Sequence, residues 1–275
     1  MTLTTLGASL ASFGILALVF TPLERACPAR PGQRWLRPGW GVDASFFFGQ
    51  YLVWAGLAAM ALGSVHHAAH AHAPGGIRGA IAAQPVWLQA IEAVVLGDVL
   101  VYWFHRACHR FDFLWRFHAV HHSAEHLDWL AAHREHPLDG LCTQLCQNLP
   151  AILIGLRMEV LAPLIVFRGA WGIFIHSNVR IALGPLGLLF GAPELHHFHH
   201  ARVGHAGHNF ANLAPWLDVL FGTYRRPPRD ERYALGLSEP WPRSYLGLLL
   251  QPFRRLRPTS TPAEQPQRES ARALS

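Results

Sequence analysis

Uncharged apolar runs alternate with short polar stretches along most of the chain. Leu3 to Phe20 carries no charge and is long enough to cross about 30 Å of hydrocarbon as a helix. No arginine precedes it, so it lacks the basic start of a secretory signal and is expected to be the first transmembrane helix. Ala44 to Val65 forms the second expected span and Val86 to Phe104 the third. The third contains Glu92 and Asp98, and ionisable side chains within a span mark a polar interior or a function. Leu141 to Leu156 and Val160 to Ile175 are of marginal length around Arg157 and Glu159. They suit two short spans or a re-entrant helical hairpin, with both ends on one side either way. Gly184 to Phe190 reads as interfacial, Leu246 to Leu250 as a segment on the membrane surface, and the tail from Pro258 as polar enough to be disordered.

The polar stretches set the expected topology. Glu24 to Gly41 is rich in proline and carries Arg25, Arg30, Arg34 and Arg37, whereas the next connection, to Gln84, holds only Arg78. The positive-inside rule therefore puts the N-terminus outside, and the first loop, the later histidines and the C-terminus in the cytoplasm. His66, His67, His70 and His72 fall in the outer connection and read as a polar loop indifferent to metal.

Composition agrees with a membrane protein carrying a substantial polar part: 51% of the 275 residues are hydrophobic and 15% charged. The net charge of +6 comes without a single lysine. Its arginines flank apolar spans, and no basic run is interleaved with base-stacking aromatics, so no nucleic-acid partner is expected. Cys27, Cys108, Cys142 and Cys146 form no C-x2-C pair and no disulfide framework.

The chemistry is concentrated between Asp98 and Pro137, which hold eight histidines. His105 and His109 stand at i, i+4, and His118, His121 and His122 at i, i+3, i+4, so each set projects from one helical face. His196, His199 and His200 repeat the triad within HHFHH. Buried without partners, so many imidazoles would be costly. They also exceed the four ligands at which a zinc site closes, so the pattern points to two metals. Asp98 lies two helical turns before His105 on the same face, placed to accept the free N–H of a ligating imidazole and fix its tautomer.

These residues resemble a known family. Asp98 to His109 reads D-x3-YW-x-HR-x2-H, His118 to Ser123 H-x2-HHS, Arg134 to Pro137 R-x-HP, and Phe174 to Asn178 FIHSN. HHFHHAR follows at His196 to Arg202, then NF at Asn209 and WLDVLFGTY at Trp216 to Tyr224. Together they resemble the fatty acid hydroxylase and sterol desaturase superfamily of membrane-embedded di-iron oxygenases, over about Leu96 to Tyr224. The resemblance implies an all-α integral membrane protein of about four transmembrane or re-entrant helices, topped by a cytosolic helical cap with a polyhistidine di-metal site. It implies two iron ions, dioxygen as co-substrate and a lipid substrate to be hydroxylated or desaturated. It makes His176 a ninth ligand beside His105, His109, His118, His121, His122, His196, His199 and His200, and Asn209 and Asp218 supporting structure. His197 and His136 are additional candidates, because HHFHH holds one histidine more than the family pattern and R-x-HP ends in a histidine.

No G-x-G-x2-G or P-loop is visible, so the electrons must come from a separate ferredoxin- or cytochrome-type donor. Arg225, Arg226, Arg229 and Arg254 are available to steer an acidic partner. A zinc hydrolase would need H-E-x2-H, which is absent. A zinc deaminase would need P-C-x2-C beyond the H-x-E of His133 and Glu135. A histidine-rich metal transporter is the remaining alternative, though its histidines would line a path through the spans. The expected organisation is a membrane region over 1–95, the histidine domain over 96–224 and a polar extension over 225–275.

Overall fold

The computed structural model describes residues 3–72, 75–156, 158–181, 183–202, 207–228 and 233–254. The tail from Pro258, Arg157, Arg229 and the side chains of His70, His72 and Arg78 lie outside that description. The described residues are mostly helical and contain no strand, only isolated bridges pairing Pro28 with Val179 and Ala201 with Leu235.

Four helical stretches are long and apolar enough to cross a membrane: Leu3–Ala26, Trp40–Ala69, Val86–Arg110 and Glu159–His176. The first is α1 (Leu3–Ala26), whose 24 residues reach about 36 Å at 1.5 Å per residue. Leu10, Ile15, Leu18 and Val19 face outward and are exposed, as lipid-facing side chains must be. Phe20 on its inner side packs with Phe47, Trp129, Leu130 and Ile173. The second stretch is composite: α2 (Trp40–Gly49), a π-helical turn (Gln50–Trp54) and α3 (Ala55–His72). The π turn inserts an extra residue per turn, a device that re-aims side chains and clusters at functional sites.

The histidines at His66 to His72, expected in a loop, instead continue α3, and α4 (Gly75–Ala82) follows. Alanine fills the gaps between those histidines, and its high helix propensity extends the helix. α5 (Val86–Arg110) runs past its apolar part to carry His105 and His109. Phe111 then adopts an extended conformation, which ends α5 and starts α6 (Asp112–His122).

The marginal pair resolves into unequal members. α7 (Pro137–Leu153) starts in the cap, with Pro137 at its first turn and His136 as its N-cap, and packs along α5 and α3. α8 (Met158–His176) returns the chain to the cap, so both ends lie on one side. Ala93, Ala151, Ile152, Leu156, Val160 and Leu161 form the core between these helices. Short helices complete the cap: α9 (Leu186–Phe190), α10 (Pro193–His199), α11 (Trp216–Leu220) and α12 (Tyr245–Leu250). In α12, Leu248 is buried with Phe46 and Val120 while Leu246 and Leu250 stay exposed.

The loop between α1 and α2 is bound to the cap. Arg37 makes a two-pronged contact with Asp128, Nε to Oδ2 at 2.7 Å and Nη2 to Oδ1 at 2.5 Å. It also reaches Asp43 at 2.7 Å, and Asp43 receives Arg134 Nε at 2.5 Å. All four side chains are buried. Gly39 has φ 84° and its Cα is so close to Arg134 that an added Cβ would stand 2.6 Å from the guanidinium, so only glycine fits there. Arg30 is likewise committed, donating to the Tyr233 carbonyl and lying over its ring. Two of the four arginines read as topology signals therefore hold the loop against the cap.

Candidate metal centre

Helical spacing and the α5 to α6 reversal bring the three histidine clusters together. His105 and His109 from α5, His118 and His122 from α6, and His199 from α10 form one group, with ligand nitrogens all within 4.8 Å of one another. His121 from α6, His176 at the end of α8, His196 from α10 and His200 at its C-cap form a second group within the same limit. The rings of His122 and His200 stack across the boundary at 4.3 Å, so the groups share a wall.

Backbone and carboxylate acceptors fix the rings. Nδ1 of His105 meets the Phe210 carbonyl at 2.6 Å, Nδ1 of His121 that of Arg134 at 3.0 Å, Nδ1 of His176 that of Gly172 at 2.6 Å, and Nδ1 of His199 that of His208 at 2.8 Å. Nδ1 of His118 lies 2.8 Å from Asp139 Oδ2. Since these oxygens only accept, each Nδ1 donates, and in a neutral ring Nε2 is left with a free lone pair.

The donor set fits metal. Among the described residues, Nε2 of His105, His118, His122 and His199 and both nitrogens of His109 are buried without a hydrogen-bond partner. In the second group Nε2 of His176 lies 3.0 Å from Nε2 of His121 and 2.8 Å from that of His196, and Nε2 of His200 lies 3.1 Å from that of His196. His121 and His176 both use their proton on Nδ1, so two lone pairs face each other, which is repulsive unless a cation lies between them. Imidazole nitrogens about 2.0–2.1 Å from one metal stand about 3 Å apart, as these do.

Burial keeps five of the rings outside the spans neutral. It is the largest cause in every case, with neighbouring imidazoles adding to it: His121 falls to about 4, and His122, His196, His199 and His200 lie well below the ordinary imidazole value. A neutral imidazole is the ligating form.

Other expected residues lie elsewhere. The Asp98 carboxylate pairs with Arg168 of α8 rather than with a ligating ring. Two opposite charges inside an apolar bundle find each other, and the imidazole partner is Asp139. His136 accepts from the Leu138 N–H and reaches the Leu249 carbonyl, and His197 contacts the Ser177 carbonyl. Neither belongs to the two groups. Asp218 accepts from the Phe210 and Ala211 N–H groups and from Thr223, so it braces the backbone whose Phe210 carbonyl holds His105. Asn209, at φ 58°, a conformation asparagine tolerates, sits between the carbonyls that hold His199 and His105. Asp139 escaped sequence reasoning, and its signal was a carboxylate in the first turn of an apolar helix directly after R-x-HP.

Residues 90–223 match the family model described as fatty acid hydroxylase. Over that stretch the chain is similar to the fatty acid hydroxylase family. An ornithine lipid hydroxylase of Rhizobium tropici is 34% identical over 173 residues, covering 62% of this chain and 52% of the relative. An alkylglycerol monooxygenase of Danio rerio is 32% identical over 155 residues, 56% of this chain and 33% of its own. A Delta(7)-sterol 5(6)-desaturase of Gibberella zeae is 28% identical over 134 residues, 49% of this chain and 37% of its own. The chain thus spans about half or less of these relatives. No solved structure matches it. A cavity of about 650 Å³ runs from Ile15 and Leu16 of α1, outside the matched residues, and Val166 of α8 up to His105, His118, His121, His176 and His196. It joins the apolar flank of the spans to both histidine groups.

Proposed function

We propose that the chain is a membrane-bound di-iron oxygenase that hydroxylates or desaturates a lipid with dioxygen and two electrons from a ferredoxin- or cytochrome-type donor. The observation that carries this reading is the cavity: it opens on the apolar flank between α1 and α8 and ends on two adjacent histidine groups. A bilayer lipid can reach the site without leaving hydrocarbon. His105, His109, His118, His122 and His199 would hold one metal and His121, His176, His196 and His200 the other. Imidazole alone does not select iron; the relatives named for hydroxylation and desaturation favour it. Bound iron would supply the reductive activation of dioxygen that breaking an unactivated C–H bond requires. The protein's residues orient the rings, wall the cavity and exclude bulk water.

The relatives' substrates extend to ornithine lipids, alkylglycerols and sterols, so the panel for a test is a set of such lipids together with fatty acyl lipids. Purified, iron-loaded protein with a reducing donor should put label from dioxygen into one of them, or remove two hydrogens from it. Neither product across the panel would sink the proposal. Metal transport has no support here, since the nine rings close into two groups at one end of the bundle instead of lining a route through it. For orientation, the N-terminus outside and the cap in the cytoplasm is the arrangement that the exposed Arg34 and the arginines of the cap favour.

A further inference from the structure

The histidines are not the only polar groups in the cavity. Between its apolar mouth and the rings it is lined by Gln50, Tyr51, Gln144, Gln147, Arg168 and Glu135, residues costly at that depth unless they serve a polar interior. Three are already satisfied. Arg168 pairs with Asp98 and donates to the Val94 and Gln147 carbonyls. Gln50 donates to the His133 carbonyl, and Gln144 accepts from Asn148. The Tyr51 hydroxyl, the Gln147 amide and the Glu135 carboxyl make no side-chain hydrogen bond among the described residues, and Glu135 is the one acid of the three.

That carboxyl is held close to the metal groups. Glu135 follows Arg134, whose carbonyl takes the Nδ1 proton of His121, and one turn on Asp139 takes that of His118. The side chain lies against the Cα of Gly140, where an added Cβ would stand 2.5 Å from Glu135 Oε2. The cavity is therefore amphipathic, with an apolar mouth between α1 and α8 and an acceptor without a partner beside the histidines.

We infer that the substrate enters polar end first, that Glu135 takes a hydrogen bond from a hydroxyl or amine of it, and that the carbon oxidised lies near that polar group rather than in mid-chain. The inference rests on the lipid-oxidising reading for its last part only. A carboxyl that must leave bulk water needs a donor, and a lipid bearing one gains about a factor of 10 in binding over a lipid without it. An apolar tail then fills the mouth between the spans.

The test is equilibrium binding to the full chain in phosphatidylcholine nanodiscs, with three labelled probes sharing one chain: hexadecylglycerol, hexadecylamine and hexadecyl methyl ether. Binding is corrected for partition into the bilayer. The wild type should hold the hydroxyl or the amine probe about 10-fold tighter than the ether. Glu135→Leu should abolish that preference while leaving ether binding unchanged, and Glu135→Gln should keep it for the hydroxyl and lose it for the amine. Gly140→Ala retains the carboxyl but displaces it, so it should weaken the preference with the fold intact by thermal unfolding. Equal binding of all three probes by the wild type, or an undiminished preference in Glu135→Leu, overturns recognition by Glu135. The assay uses neither metal turnover nor dioxygen, so it stands or falls separately from the oxygenase reading. Where product does form, oxidation confined to carbons remote from the polar group overturns the polar-end-first orientation.

Discussion

At the scale of single residues, His121 and His199 separate a metal centre from a merely packed cluster. Each turns Nε2 toward its group, with Nδ1 on a carbonyl. Replacing either by alanine should lower bound iron, measured by elemental analysis, and abolish oxidised lipid. Asp139→Asn should act more mildly, because the amide keeps the shape but weakens its acceptor role toward His118 Nδ1; a loss of about 10- to 100-fold in metal affinity is expected. Asp98→Asn should leave metal content unchanged, since Asp98 serves Arg168. His133, which belongs to neither histidine group, provides a pH test. Its Nδ1 contacts Gln50, and burial, opposed by Asp128, lowers it from 6.5 to about 4. The unfolded chain takes up this proton near 6.5 and the folded chain only near 4. Stability is therefore complete above 6.5 and is lost as pH falls toward 4, by about 3 kcal/mol from this ring. His133→Gln should flatten that part of a thermal-unfolding profile against pH.

At the scale of elements, the buried Arg37, Asp43, Arg134 and Asp128 network joins the α1–α2 loop to the strap that holds His121. Removing one partner from a buried ionic network leaves a charge without compensation and costs about 3–5 kcal/mol. Asp43→Ala leaves Arg134 without a carboxylate and Arg37 with Asp128 alone, so it should lower the unfolding midpoint strongly and loosen His121, seen as reduced metal occupancy in the surviving folded fraction. This network was not legible in the sequence. The arginines of the loop read as charges facing a membrane surface, and the pairs Arg37 with Asp128 and Asp43 with Arg134 are each 91 positions apart, meeting only once the helices have folded back. The histidine spacing was legible, because i, i+3 and i, i+4 fix a face whatever the helix packs against. The extension of α3 through His66 to His72 was not, because four histidines read as a polar break although the alanines between them support a helix.

At the scale of the whole molecule, α1, α2 with α3, α5 and the α7–α8 pair place the first loop and the metal groups on the same side. Single-cysteine labelling at the exposed Arg34 should therefore find it accessible from the cytoplasm in intact cells; modification only from outside would overturn the proposed orientation. The sequence alone determined the helical class, the apolar stretches and the faces on which histidines fall, because these depend on local periodicity and on the cost of polar groups in hydrocarbon. It also carried the family resemblance. Only the tertiary structure decided how the rings divide into two groups, and that Asp139 rather than Asp98 serves a ring. It also decided that His136 caps α7 while His197 meets a backbone carbonyl. The physical reason is that a helical face specifies direction but not what lies opposite. The acceptors that orient the rings are mostly backbone carbonyls, at Arg134, Gly172, His208 and Phe210, and every residue has one, so no side-chain pattern can announce which four the fold will bring into place.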